Sequence, residues 1–176
     1  MGYKDVYAGW KADPEAFWLE AAKAIDWVTP PTRALNDDNA PLYEWFSDAK
    51  VNTCWNAVDR HVEGGRGDQT AIIYDSPITG AKSKITYSEL KDKTSRLAGA
   101  LAAKGVVKGD RVIIYMPMVP EALIAMLACA RLGAIHSVVF GGFAANELAV
   151  RIDDATPKAI IAGSCGIEPG RIVEYK

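Results

Sequence analysis

Between residues 70 and 162, short apolar runs alternate with longer segments in which apolar residues recur at helical spacing. This alternation constrains the fold strongly, because helical crossovers between successive strands favour a parallel sheet with helices on its faces. The run at residues 112–115 is continuously apolar, which indicates a strand buried on both faces. The sequence therefore predicts an α/β fold with a partial, mainly parallel sheet flanked by helices.

The boundaries of the predicted elements carry local signals. Thr86 and Glu89 form a capping-box pattern at the start of a helix that Gly105 ends. Pro120 opens the next helix and Gly133 closes it. Strands are predicted over residues 71–74, 84–87, 112–115, 135–140 and 158–162, and a third helix over about residues 144–155.

The N-terminal part differs from this pattern in composition. It contains four of the five tryptophans, namely Trp10, Trp18, Trp27 and Trp45. Asp13 and Pro14 match the cap and first position of a helix, whereas residues 27–43 predict a turn-rich connector without regular structure. We expect an aromatic-rich helical arm over residues 1–62 that packs onto a larger body. Residues 63–176 are expected to form the first part of a large, incomplete α/β domain.

Composition and charge narrow the classes of function. A formal net charge of −2 gives no basic excess for binding nucleic acid. The longest apolar stretch, at residues 122–130, is far shorter than the roughly 20 residues of a membrane span, and the N-terminus lacks a signal-peptide pattern. Three separated cysteines and two histidines lack the spacing of a disulfide framework or a metal site, and His136 is expected in the core. These features predict a cytoplasmic protein that binds neither membranes nor metal.

The segment Phe140-Gly141-Gly142-Phe143 is the strongest candidate for a ligand site. It follows a predicted buried strand and precedes a helix, at the carboxyl end of the strand, where open parallel sheets bind ligands. A glycine pair lets a ligand approach the backbone closely, and the start of the next helix favours anions. Taken alone, these residues favour a tight strand-to-helix turn over an anion site.

Several segments resemble the acetyl-CoA and propionyl-CoA synthetases of the adenylate-forming superfamily. They are WNAVDRH (residues 55–61), ITYSEL (85–90), GVVKGDRV (105–112), MPMVPE (116–121) and ARLGAIHSVVFGGF (130–143). The last of these is the most specific, and the resemblance covers nearly the whole chain. Residues 164–171, SCGIEPGR, are similar to the propionyl branch, so the resemblance favours propionate over acetate as the substrate.

The resemblance implies a two-step reaction. ATP and a short-chain carboxylate give an acyl-adenylate and pyrophosphate, and CoA then yields the acyl-CoA and AMP. The family's phosphate loop, magnesium-binding acid, catalytic lysine and acyl pocket lie downstream, so the ATP and Mg²⁺ sites and all catalytic residues are expected outside this chain. The implied partners are the remainder of the large domain and a C-terminal domain. Where that remainder would pack, the sheet should leave an uncovered edge or face with exposed apolar side chains.

Within this chain the resemblance implies a small CoA site. The segment matching Phe140, Gly141 and Gly142 lines the channel for the CoA nucleotide, and Arg171 matches one of two arginines that grip a CoA phosphate. Glu168 stands where the family has the other arginine, which puts that half of the grip in doubt. Two other classes stay open: a non-catalytic module that binds CoA or a nucleotide, and an interaction fragment whose sheet edge docks onto a partner.

Overall fold

A computed structural model describes residues 2–142 and 145–175 of the chain. The chain divides into two compact units, Met1–Asn52 and Thr53–Lys176. The boundary expected after residue 62 stays a prediction. Phe143 of the glycine segment and the predicted helix start at Ala144 lie outside the described residues.

The first unit contains two helices followed by short antiparallel strands. Helix α1 (Tyr3–Ala12) and helix α2 (Pro14–Ala22) are separated by Asp13. The Asp13 carboxylate accepts a hydrogen bond from the Ala16 amide at 2.9 Å, which confirms the predicted cap. Strand β1 (Trp27–Thr29) pairs with β4 (Lys50–Val51), and β2 (Leu35–Asn36) pairs with β3 (Glu44–Trp45).

Aromatic contacts accompany these short strands. Trp18 and Trp45 meet edge to face with their rings 5.5 Å apart. The rings of Trp27 and Phe46 pack with their centroids 5.6 Å apart. The Trp27 indole N–H donates a hydrogen bond to the Ala22 carbonyl oxygen at a donor–acceptor distance of 2.8 Å. The prediction of a connector without regular structure over residues 27–43 is wrong at β1 and β2. Strands of two or three residues are too short to produce a periodic pattern.

The second unit contains the predicted alternation of strands and helices. In chain order its elements are two π-helical turns (Trp55–Asp59 and Val62–Arg66), β5 (Thr70–Asp75), β6 (Lys82–Thr86), α3 (Tyr87–Ala103), β7 (Arg111–Met116), α4 (Pro120–Leu132), β8 (Ile135–Phe140), α5 (Ala145–Ala155), β9 (Ala159–Ala162), β10 (Cys165–Glu168) and β11 (Arg171–Glu174). Strands β5 and β6 form an antiparallel hairpin. Among the described residues, no helix is long and apolar enough to cross a membrane.

The predicted helix boundaries around α3 and α4 are confirmed. The Glu89 amide donates to the Thr86 hydroxyl at 3.2 Å, and the Thr86 amide donates to the Glu89 carboxylate at 2.7 Å. This reciprocal pair is the capping box that the sequence predicts. Pro120 is the first residue of α4, and Gly133 ends the helix in the left-handed conformation with a φ of 71°.

Strand β7 is the centre of a three-stranded parallel sheet with the order β8-β7-β9. Val112 belongs to an apolar cluster with residues of α3 and α4. Ile113 and Tyr115 point the other way and pack with Leu148 and Ile152 of α5. Helices therefore cover both faces of β7, as its continuously apolar sequence predicts, and the α/β fold with a parallel sheet is confirmed.

Strand β8 has the predicted bounds but not the predicted burial. Val139 is fully buried, whereas Ile135, Val138 and Phe140 each leave more than half of their surface exposed. His136 is exposed as well, so the prediction of a core histidine is wrong. The reason is position, because β8 pairs with β7 alone and forms an edge of the sheet among the described residues. The expected uncovered edge with apolar side chains is therefore present.

The hairpin of β10 and β11 was missed by the sequence analysis. The two strands pair from Cys165 opposite Glu174 to Glu168 opposite Arg171. The turn between them is Pro169-Gly170, and Gly170 has a φ of 76° that a residue with a side chain rarely adopts. A Pro-Gly dipeptide between two short apolar runs is the signal that predicts such a turn.

A bidentate ion pair joins the first π-helical turn to α4. Arg131 donates from Nη2 to Oδ2 of Asp59 at 2.7 Å and from Nη1 to Oδ1 at 3.2 Å. The Asp59 side chain is only 5% exposed, so its charge depends on this partner. Both residues belong to segments that carry the family resemblance.

We expect Asp59→Ala to lower the free energy of unfolding by about 3 kcal/mol, because it leaves the Arg131 guanidinium half-buried without its carboxylate. The control is Asp92→Ala, which removes the exposed partner of Arg96 on α3 and should cost less than about 0.5 kcal/mol. Urea denaturation followed by tryptophan fluorescence measures both values. Similar losses in the two variants would contradict the structural role of the buried pair.

Candidate functional site

The carboxyl ends of the three parallel strands meet at one edge of the sheet. β8 ends at Phe140 and continues into Gly141 and Gly142, and β9 continues into Gly163. The Gly163 amide donates a hydrogen bond to the Tyr115 carbonyl at 3.1 Å, which ties the end of β9 to β7. The chain steps from β7 to β8 on one side and then returns past β7 to β9 on the other. Open α/β sheets bind ligands at such a reversal of strand order.

The side chain of Tyr175 lies across this edge. Its ring packs on Tyr115 with the centroids 4.9 Å apart, and it contacts the apolar cluster that contains Val139. Its backbone amide donates to the Ser164 carbonyl at 3.1 Å. Desolvation, followed by the neighbouring Tyr115, Glu168 and Cys165, raises the pKa of the Tyr175 hydroxyl, so the phenol stays neutral near pH 7.

Two glycines from separate chain segments make room for this ring, and a third lies beside it. A Cβ atom on Gly141 would lie 2.5 Å from the Tyr175 hydroxyl oxygen, and one on Gly166 would lie 2.2 Å from it. A Cβ atom on Gly163 would meet ring atom Cδ2 at 3.6 Å. Gly141 and Gly163 face one edge of the ring and Gly166 faces the other. We call the space bounded by Tyr115 and these three glycines the tyrosine slot.

The space beside Gly142 is filled in the same way by Phe140. A Cβ atom on Gly142 would lie 2.6 Å from ring atom Cε1 of Phe140. The Phe140 side chain is nevertheless 59% exposed, and Gly142 is exposed too. Both glycines of the pair therefore have a packing role in this chain. The site role predicted for Phe140, Gly141 and Gly142 stays a prediction beside it.

Arg171 and Glu168 lie opposite each other at the turn of the β10–β11 hairpin and form an ion pair. Arg171 Nε and Nη2 both lie 2.7 Å from Oε2 of Glu168. The Arg171 side chain is 70% exposed, so much of the guanidinium still faces solvent. A shallow groove of about 620 Å³ adjoins the pair, and its other lining residues are Pro77, Ile78, Ile167, Pro169, Gly170 and Ile172.

The structure brings the glycine segment together with Tyr175 rather than with Arg171. Arg171 begins β11, and Tyr175 follows the end of the same strand. Four residues of extended chain span on the order of 13 Å at a rise of about 3.4 Å per residue. Arg171 and the tyrosine that contacts the glycine turn therefore lie at opposite ends of β11.

The sequence analysis did not find Tyr175, Gly163 or Gly166. Each is an ordinary residue in its local context, and only the fold brings the three together. Cys54 and Cys129 are fully buried, whereas Cys165 is half-buried. Desolvation is the main cause that raises the pKa of the two fully buried thiols, which keeps them protonated. Within residues 2–142 and 145–175, no three His, Cys, Asp or Glu side chains are grouped to hold a metal ion.

Two family models match consecutive parts of the chain. Residues 3–57 match the model described as acetyl-coenzyme A synthetase N-terminus, and residues 58–174 match the model described as AMP-binding enzyme. The second match alone covers more than half of the 176 residues. The chain belongs to the AMP-binding enzyme family. The glycine segment, the hairpin and the four residues that bound the tyrosine slot lie inside the AMP-binding region, and Tyr175 is the residue after its end.

Similar curated proteins agree with this assignment and with the resemblance to short-chain acyl-CoA synthetases. The acyl-CoA synthetase short-chain family member 3, mitochondrial, of Bos taurus is 56% identical over 173 residues, which cover 98% of this chain and 25% of that protein. The Homo sapiens protein of the same name is 53% identical with the same coverage. An acetyl-coenzyme A synthetase of Streptomyces avermitilis is 50% identical over 167 residues, which cover 95% of this chain and 26% of that protein. The chain thus spans about a quarter of the length of the curated relatives it matches.

We expect Gly141→Ala to lower the free energy of unfolding by about 1–3 kcal/mol, because the new methyl group would overlap the phenol that Gly166 confines on its other edge. Gly99→Ala is the matched control, since its methyl group meets no atom within 4 Å in exposed helix α3. It should raise stability by up to about 1 kcal/mol. Urea denaturation of both variants measures the contrast. A neutral or stabilising Gly141→Ala would mean that Tyr175 does not fill the tyrosine slot.

Proposed function

We propose that this chain is the N-terminal part of an AMP-forming short-chain acyl-CoA synthetase. Such an enzyme joins a carboxylate to CoA through an acyl-adenylate and releases pyrophosphate and AMP. The observation that carries the proposal is the succession of the two family matches, which follow each other without a gap from residue 3 to residue 174. Relatives named as short-chain acyl-CoA and acetyl-CoA synthetases support it over nearly the whole chain.

The candidate site suits the nucleotide end of CoA. The exposed ring of Phe140 offers an aromatic face on which an adenine base would stack. Arg171 offers a planar, permanently charged guanidinium for a phosphate. CoA carries both an adenine base and phosphates, so it has a group for each of these two residues. The exposed backbone of Gly142, next to the Phe140 ring, adds a point of close approach.

We assign the adenylation chemistry to parts of the enzyme outside this chain. The sequence lacks a glycine-rich loop followed by lysine and serine or threonine, which is the pattern that cradles nucleotide phosphates. ATP and Mg²⁺ would then bind elsewhere, where the metal ion neutralises charge on the phosphates. The exposure of β8 supports this division. Apolar side chains such as Val138 are exposed on this strand, and another part of the large domain would bury them.

We favour propionate over acetate as the carboxylate. The support is the segment SCGIEPGR at residues 164–171, which is similar to the propionyl branch of the family. The relatives' names support the coarser statement of a short-chain acyl group. The cytoplasmic compartment stays a prediction, and the mammalian relatives are named mitochondrial.

The 176-residue chain alone should not release pyrophosphate from ATP, Mg²⁺ and propionate, because the proposal assigns the phosphate loop and catalytic lysine to other parts of the enzyme. The longer protein that contains this chain should do so under the same conditions. A coupled pyrophosphate assay measures both. Turnover by the chain alone within the usual enzyme range of about 1–10³ per second would contradict the proposal and favour a self-contained module.

Arg171→Ala in the longer protein should raise the KM for CoA about tenfold, because it removes a charge-assisted hydrogen bond worth about 1.5 kcal/mol. Glu168→Gln should lower that KM, since it releases the guanidinium and removes a negative charge beside the phosphate. Arg96→Ala is the control, because it removes an equally exposed, carboxylate-paired arginine on α3.

Pyrophosphate exchange, which needs no CoA, separates the two half-reactions in these variants. The rate of exchange in Arg171→Ala should stay within about twofold of the parent, since adenylation is assigned elsewhere. An unchanged KM for CoA, or an equal loss of exchange and thioester formation, would show that the hairpin is only structural.

A further inference from the structure

Tyr175 is held by groups that come from four different parts of the chain. Tyr115 lies in β7, Gly141 follows β8, Gly163 follows β9 and Gly166 lies in β10. A ring that fills the space between three strand ends fixes the positions of the segments that leave those strands. Gly141 is the member of the tyrosine slot that also belongs to the proposed CoA site.

The turn after β8 passes from the core to the surface within one residue. Gly141 is buried against Tyr175, whereas Gly142 is exposed and contacts Phe140. Two adjacent glycines give a backbone its largest conformational freedom, so this turn would sample many conformations without a fixed support. The Tyr175 ring is such a support, because a Cβ atom on Gly141 would already overlap it.

We propose that Tyr175 is a positioning residue for the CoA nucleotide. Its ring holds the Phe140–Gly142 turn in the conformation that presents the Phe140 ring and the glycine backbone to the ligand. Tyr175 acts through Gly141 and needs no contact with CoA itself. This inference rests on the proposed function, because it concerns the same site.

The support given by Tyr175 is steric rather than polar. Cβ atoms on Gly141 and Gly166 would overlap the hydroxyl end of the ring from its two edges. A phenylalanine would keep most of the ring contact, whereas an alanine would leave the slot empty. An unsupported turn must be ordered when the ligand binds, and that ordering weakens affinity.

The test uses variants of the longer protein that contains this chain. Tyr175→Ala should raise both the calorimetric Kd for CoA and the KM for CoA about tenfold, with kcat at saturating CoA within about twofold. Tyr175→Phe should stay within about threefold of the parent for both constants. The control is Glu174→Gln, at the exposed neighbouring residue, which should leave both constants unchanged.

A second pair of variants reaches Tyr175 from the side away from the glycine turn. Gly166→Ala places a methyl group 2.2 Å from the Tyr175 hydroxyl oxygen and should displace the ring, so the Kd for CoA should rise as in Tyr175→Ala. The double variant Tyr175→Phe with Gly166→Ala removes the clashing oxygen and should recover part of the affinity. This pair keeps the inference testable even if Tyr175→Ala fails to fold.

The outcomes separate this inference from the proposed function. An unchanged Kd for CoA in Tyr175→Ala, together with a raised Kd in Arg171→Ala, would overturn the role of Tyr175 and leave the proposed function standing. A parent protein that neither binds CoA nor forms a thioester would overturn the proposed function instead. A fall in kcat and melting temperature without a selective change in the constants for CoA would show that Tyr175 is structural only, and would also overturn the inference.

Discussion

The burial of β7 on both faces is the constraint on which the described sheet depends. Val112, Ile113 and Ile114 are fully buried, and parallel ladders on both edges satisfy the backbone groups that burial removes from water. The chain must then place helices on opposite faces, and it does so by stepping to β8 and returning past β7 to β9. That path brings the carboxyl ends of all three strands to one edge, so the position of the candidate site follows from the burial of one strand.

At that edge, small residues meet two different demands. The Tyr175 ring occupies the space where a side chain on Gly141 would lie, and the Phe140 ring occupies the corresponding space beside Gly142. This packing does not compete with a ligand role, because Phe140 and Gly142 keep an exposed surface outside the slot. A buried residue beside an exposed one lets the same turn be rigid on its inner side and accessible on its outer side.

The elements of the second unit could be predicted because their signals are local. Thr86 with Glu89 starts α3, and Gly133 ends α4, whatever surrounds them. The uncovered edge of the sheet was expected, but its assignment to β8 could not be predicted, because the apolar sequence of β8 is typical of a covered strand. The tyrosine slot could not be predicted either, since Tyr115 and Tyr175 lie far apart in sequence and no motif links them. Family resemblance pointed to the glycine segment, but only the fold explains why glycine is needed at residue 141.

The ion pair of Arg171 and Glu168 affects how a phosphate would bind at the hairpin. Both side chains are exposed, Arg171 more so than Glu168, and exposed ion pairs contribute only about 0–1 kcal/mol. Glu168 therefore orients the Arg171 side chain but binds its guanidinium only weakly. A CoA phosphate with more than one negative charge would displace the carboxylate from the guanidinium at little cost, because Glu168 can turn to solvent. In the proposed CoA site, the hairpin would then recognise a phosphate by its charge, whereas Phe140 and the glycine turn would recognise the shape of the adenine base.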